Sequence, residues 1–229
     1  MTKPLAVIVG AGQGLSASVT RALAPDYDLI LAARSGARAE PVAAATGARL
    51  VPMDAADPAA VDALFAALPE APRVVVYNPS MRVRGGIVEL DPEEVRHALE
   101  VTAFGAFLVG RAAARAMLAA EPLAGVRGTI LFTGASAGVK GFAMSAPFAM
   151  GKFAERGLAQ SMARELHPKG IHVVWVNIDG QIRNPGVTED SPDSKLDPDA
   201  IAAEYLHLIR QHRSAWTEEV ALRPWVERF

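Results

Sequence analysis

A succession of short, uninterrupted apolar runs, each followed by a stretch of helical period, limits what this chain can fold into. The runs are "PLAVIVG" (4–10), "DLILAAR" (28–34), "ARLVPMD" (48–54), "RVVVYN" (73–78), "GTILFTG" (128–134) and "IHVVWVN" (171–177). Their Val, Ile and Leu residues are consecutive rather than alternate. A strand that is apolar on both faces must be buried on both, which belongs to parallel sheets covered by helices on each side. Candidate helices lie between them at 14–24, in "RAEPVAAATG" with Gly47 as its stop, and at 57–69, 91–121 and 147–167. A last helix, "DPDAIAAEYLHLIRQH", runs to residue 212 and leads to a short strand near "EVALRP". Three of these helices open on Asp-Pro, where the aspartate caps free amides and the proline fits the first helical position. The pattern predicts one α/β domain over residues 1–229, a doubly wound parallel sheet of about seven strands with helices on both faces. The stretch "RNPGVTEDSPDSKLDPD" (183–199) lacks any period and follows the sixth strand, so it is a candidate substrate loop over a strand end.

Charge and composition narrow the function classes. The formal net charge is -2 and the two signs are interspersed, which gives nucleic acid no concentrated basic face to bind. There is no cysteine, so disulfides, thiolate nucleophiles and cysteine metal sites are excluded. The five histidines form no i, i+4 ligand pair, and no metal site is expected. "KPLAVIVGAG" enters an apolar strand at residue 4 without the features of a signal peptide, and the apolar runs fall short of a membrane span. The expectation is a cytoplasmic protein with a small-molecule substrate and no membrane partner.

Chemistry enters at "VGAGQGLSASV". Gly10, Gly12 and Gly14 fall between the first strand and the first helix, where glycines permit a tight turn and close backbone approach. The amides that open the next helix suit a pyrophosphate. The second strand ends in Ala33, Arg34 and Ser35 with no carboxylate. A carboxylate there would suit a ribose 2′-hydroxyl, whereas the forked donors of Arg34 suit a 2′-phosphate, so NADP(H) is expected over NAD(H).

With these residues in order, the chain resembles the short-chain dehydrogenase/reductase family nearly end to end. That family's T-G-x-x-x-G-x-G loop is matched by Val9, Gly10, Gly14 and Ser16. Its third-strand Asp is matched by Asp54, followed by Ala55. Its N-N-A-G is replaced by "YNPS", which keeps Asn78 beside Tyr77, Pro79 and Ser80. Its P-G after the sixth strand becomes Asp179 and Gly180, with Ile182 two positions on. The resemblance implies cofactor contacts from Gly10, Gly12, Gln13, Gly14, Leu15, Arg34, Asp54, Ala55, Asn78, Pro79, Ser80, Lys152, Gly180 and Ile182. Strand alternation sends Tyr77 and Asn78 to opposite faces, with Asn78 toward the cofactor.

The family's catalytic set fits less well. Lys152 fills the lysine position, but Phe148 stands four residues before it where the family has a tyrosine. Ala135 takes the serine position with Ser136 beside it, and Thr102 takes the asparagine position. Lys152, Ser136 and Asp179 are the candidate catalytic residues, Asp179 as an acid if burial raises its carboxyl. Phe142, Met144, Phe148 and Met150 would line or border a substrate pocket. Two readings stay open: an NADP(H)-dependent oxidoreductase with a non-standard proton path, or a catalytically silent cofactor-binding protein acting as sensor or partner subunit. The helices at 91–121 and 147–167 carry small apolar faces (Ala103, Gly105, Ala106, Gly110, Ala113, Ala114; Ala149, Ala154, Gly157, Ala159). The family commonly pairs these helices, so a homodimer or homotetramer is expected.

Overall fold

Seven parallel strands, β1 (Leu5–Val9), β2 (Asp28–Ala33), β3 (Arg49–Pro52), β4 (Val74–Tyr77), β5 (Gly128–Thr133), β6 (Ile171–Ile178) and β7 (Glu219–Leu222), form one sheet in a computed structural model that describes residues 3–227. Their order is β3-β2-β1-β4-β5-β6-β7. The strands fall where the apolar runs predict, within one or two residues at their ends. Alternate residues feed two separate cores. Leu5, Val7 and Val9 of β1 face α3 (Pro58–Ala66), α5 (Gly105–Ala119) and α6 (Ala146–Leu166). Ala6 and Ile8 face α1 (Leu15–Leu23), α2 (Glu40–Thr46) and α7 (Pro198–Ile209). This two-sided burial is the physical reason that the strands read as continuous apolar runs.

The Asp-Pro caps form as the sequence predicts. Asp57, Asp91 and Asp197 each accept a hydrogen bond from the amide two residues on, at 2.9, 2.9 and 2.7 Å. The last helix ends at Ile209, short of the expected residue 212. The expected helix 91–121 is a compound element. It consists of α4 (Pro92–Leu99), a π-helical turn over Glu100–Phe104, and α5. The Tyr77 hydroxyl donates to the Val101 carbonyl inside this turn, and Thr102 Oγ1 accepts from the Met81 amide at 3.1 Å. The run Pro92–Ala119 is also long and apolar enough to cross a membrane, contrary to the sequence expectation that no run reaches that length. Its most apolar window is 61% buried within the protein, as befits a helix that packs on the sheet.

Strand order reverses between β1 and β4, because β1 connects to β2 on one side and the chain returns to β4 on the other. Loops leaving the carboxyl ends of the two strands diverge there, and ligands of doubly wound sheets bind in that crevice.

Candidate active site

A cleft of about 1560 Å³ opens at this switch point. Its first wall is the glycine turn between β1 and α1. Gly10 has φ +81, and a Cβ there would lie 2.8 Å from the Pro79 backbone nitrogen, so only glycine fits. Ser16 Oγ folds the turn by accepting from the Gly12 amide at 2.8 Å. Among the described residues no side chain caps the first turn of α1, which leaves its first amides available to an anion. Gln13, Gly14 and Leu15 all border the cleft, and Leu15 also packs into the adjoining core. Asn184 Oδ1, close to Gly14, is buried without a hydrogen-bond partner among the described residues. The free helix terminus suits a dinucleotide phosphate, and the Asn184 oxygen, an acceptor only, calls for a donor on the same concave surface.

At the outer end Arg34 is exposed and borders the cleft, joined by Ser35 and Arg38. Neither guanidinium has an ion pair or hydrogen bond among the described residues. Asp54 and the largely buried Ala55 border the same cleft, and Asp54 accepts from the Ala56 amide at 3.0 Å. Asn78 turns to the cleft and donates to the Gly10 carbonyl at 3.4 Å, while Tyr77 points the opposite way and is fully buried. Pro79, Ser80, Gly180 and Ile182 complete this part of the wall.

The inner end is set by α6. Phe148 and Lys152, one turn apart, both border the cleft. Lys152 is only 2% exposed, and its Nζ donates to the Thr133 carbonyl at 2.6 Å and to Glu155 Oε2 at 2.9 Å. Glu155 is fully buried, and that burial raises its carboxyl to about 7 against the pull of the Lys152 ammonium. Ser136 borders the cleft at the start of a 3₁₀ turn, Ser136–Gly138. Phe142 also lines it, whereas Met144 and Met150 are exposed outside it.

Thr102, at the asparagine position, and Asp179, a candidate catalytic residue, stand elsewhere. Thr102 is buried in the π-helical turn with its hydroxyl engaged by Met81, and it does not reach the cleft. Asp179 does not border the cleft either. It pairs with Arg223 at 3.0 Å. Burial pushes the Asp179 carboxyl up, but the Ser136 hydroxyl and the Arg223 guanidinium outweigh it and hold the carboxyl below the usual range. The expectation of a raised, proton-donating carboxyl is corrected: Asp179 is an ionised partner of Arg223. Of the candidate substrate loop, Asn184 and Pro185 border the cleft. The rest is tied down by a bridge between Ile182 and Leu196 and by pairing of Arg183 with Glu189 and Asp197. Arg38, Arg82, Arg84, Gln181 and the buried Glu155 went unread in the sequence. The Arg-Val-Arg step just after "YNPS" was the available signal for two of them.

Comparison with known proteins agrees with this layout. Residues 4–183 match the family model of short chain dehydrogenase. The chain is 30% identical to L-2,3-butanediol dehydrogenase of Corynebacterium glutamicum over 233 residues, covering 95% of this chain and 88% of that protein. It is 32% identical to trans-4-hydroxycyclohexanecarboxylate dehydrogenase of Sinomonas cyclohexanicum over 139 residues, 59% of this chain and 51% of that protein. Among solved structures, a short-chain dehydrogenase from Rhodopseudomonas palustris superposes with TM-score 0.79 at 33% identity, covering 96% of this chain and 99% of that one. An alcohol dehydrogenase from Thermococcus sibiricus shares the fold with TM-score 0.83 at 24% identity, covering 99% and 98%. The matching family model over most of the chain, the relative at 30% identity and the shared sheet architecture agree: the chain belongs to the short-chain dehydrogenase family.

Proposed function

We propose that this short-chain oxidoreductase uses NADP(H) and moves its proton by a route that does not pass through a tyrosine. One observation carries the reading: a single cleft joins the uncapped glycine turn, Arg34 and Arg38, which are unpaired among the described residues, and Lys152, with Phe148 one turn before it on the same helix. The amides of the glycine turn would hold the pyrophosphate. Arg34 and Arg38 would take the 2′-phosphate, because two unpaired guanidiniums favour an anion where a carboxylate would favour a hydroxyl. Lys152 would reach the nicotinamide ribose by exchanging its bond to the Thr133 carbonyl. When bound, the cofactor supplies or accepts a hydride. Phe148 offers no proton, and Ser136 can hydrogen-bond a substrate oxygen without being acidic enough to protonate it. A proton therefore comes from water, which suits acceptors that need little acid assistance. An iminium already carries its charge, and an activated alkene takes its proton from solvent after hydride addition.

Titration with NADPH and NADH, followed by nicotinamide fluorescence, tests the cofactor reading. NADPH should bind at least ~10-fold more tightly, and Arg34→Ala should remove ~10-fold of NADPH affinity while leaving NADH unchanged. Equal binding of both cofactors overturns the preference. The proton path is tested in the same preparation by Phe148→Tyr. Restoring a phenol beside Lys152 should raise ketone reduction by ~10²-fold, and an unchanged turnover refutes the proposed route.

A further inference from the structure

We infer that the substrate is an anion, held by Arg82 and Arg84 at the inner end of the cleft; this rests on the oxidoreductase reading above. Both side chains border the cleft, and Val83 between them does not. The segment that carries them is pinned at two points. Thr102 Oγ1 accepts from the Met81 amide at 3.1 Å, and the Met144 carbonyl accepts from the Gly85 amide at 3.2 Å. The arginines therefore sit on a short, tethered strap that runs from the end of β4 past the start of α6.

The charges on this strap have no counter-charge among the described residues. Neither Arg82 nor Arg84 has a hydrogen bond or an ion pair among the described residues. Other arginines do find carboxylates, as Arg156 does with Glu219 and Arg210 with Asp26. Arg82 is moreover close enough to Arg84 for the second cation to lower its proton affinity, after the larger effect of partial burial. Asp54 is the one acidic residue among the described residues of the cleft wall, and it stands beyond β3, toward the Arg34 end. Lys152 already has Glu155 as its partner, at 2.9 Å. Two like charges held side by side without a counterion favour an anion from outside.

Phe148 fixes where that anion would lie. The Arg82 guanidinium sits over its ring, 4.9 Å from the centroid, a cation–π arrangement that orients the fork. The ring thus does more than lose a hydroxyl: it is the platform that holds Arg82 at the cleft that Lys152 and Ser136 also line. The glycine turn and Arg34 already account for the cofactor phosphates, which leaves Arg82 and Arg84 for the substrate. Forked guanidiniums match a planar carboxylate, and they also bind a phosphate ester.

Calorimetric titration of the NADPH complex with benzoate, phenyl phosphate and benzamide tests this directly, without requiring turnover. Benzoate or phenyl phosphate should bind, the tighter of the two identifying the group, and benzamide should bind at least ~10-fold more weakly. Arg82→Ala and Arg84→Ala should each weaken anion binding by ~10-fold or more while the NADPH affinity stays at the wild-type value. The proposal is overturned if benzamide binds as well as benzoate, if neither anion binds, or if the variants lose NADPH affinity instead. Failure of the cofactor reading is separately visible, as wild-type protein that does not bind NADPH. In that case loss of benzoate binding in the Arg82→Ala apoprotein would still place an anion site on the strap, and retention would refute it.

Discussion

Lys152, which borders the cleft, pairs with the fully buried Glu155, and the cost of that arrangement is readable as pH dependence. The Glu155 carboxyl is raised by burial to about 7, so the folded state binds its proton more tightly than the unfolded chain does. By linkage, the stability it contributes is complete below the ordinary carboxylate range and is lost as pH rises through 7. Glu155→Gln keeps an acceptor for the ammonium and removes the titration. Urea unfolding between pH 5 and 8 should show wild type losing more stability across that interval than the variant, by on the order of 1–3 kcal/mol; parallel curves would refute the assignment. Phe148 and Lys152 were legible as a pair, because four-residue spacing alone places them on one helix face. Glu155 shares that face, but a Lys–Glu pair on a helix reads as a solvated surface pair until tertiary packing shows it at 0% exposure. Asp179 was misread for the same kind of reason: its partner, Arg223, is 44 residues away in sequence.

At the scale of elements, sequence signals that act locally were recovered and those set by neighbours were not. Aspartate caps and apolar strands depend on adjacent residues, and they fall where they were expected. The π-helical turn at Glu100–Phe104 does not announce itself, since "EVTAF" carries the same apolar period as the helix around it. Its cause is tertiary: Tyr77 reaches the Val101 carbonyl, and Gly105 closes the turn against β4. A Cβ on Gly105 would lie 2.5 Å from the Tyr77 hydroxyl and 2.9 Å from the Ala55 carbonyl oxygen. Helix propensity favours alanine by ~1 kcal/mol, but one of these contacts is backbone and cannot rotate away. Gly105→Ala should therefore be net destabilising, with Tm falling by roughly 2–10 °C in a thermal melt. An unchanged or higher Tm would mean that the turn relaxes and that Tyr77 does not hold it.

For the whole molecule, the remaining question is what covers the outer face of α4, α5 and α6. The small residues on these helices divide between two faces. Gly105, Ala106, Gly110, Ala113 and Ala114 are buried inside the subunit. Ala154 and Gly157 lie on the opposite side with the exposed Phe104, Phe107 and Phe153. Phe104 and Phe107 stack on each other, with ring centroids 6.1 Å apart, beside an apolar groove lined by Leu99, Ala103, Ala154 and Leu158. Arg96 and Glu100 rim that groove with both signs of charge. A patch that carries both signs around an apolar centre is suited to an identical patch turned by a two-fold axis. We propose that a second copy of this chain covers it, pairing α4–α5 and α6 with their counterparts. Light scattering on a sizing column at micromolar concentration should then give twice the chain mass. Phe104→Glu should shift the protein to monomer with its melting cooperativity intact, because the side chain is not part of the subunit core. A wild-type monomer at that concentration would remove the proposed partner. A variant that remains dimeric would move the contact to another face and leave the exposed phenylalanines without a role in assembly.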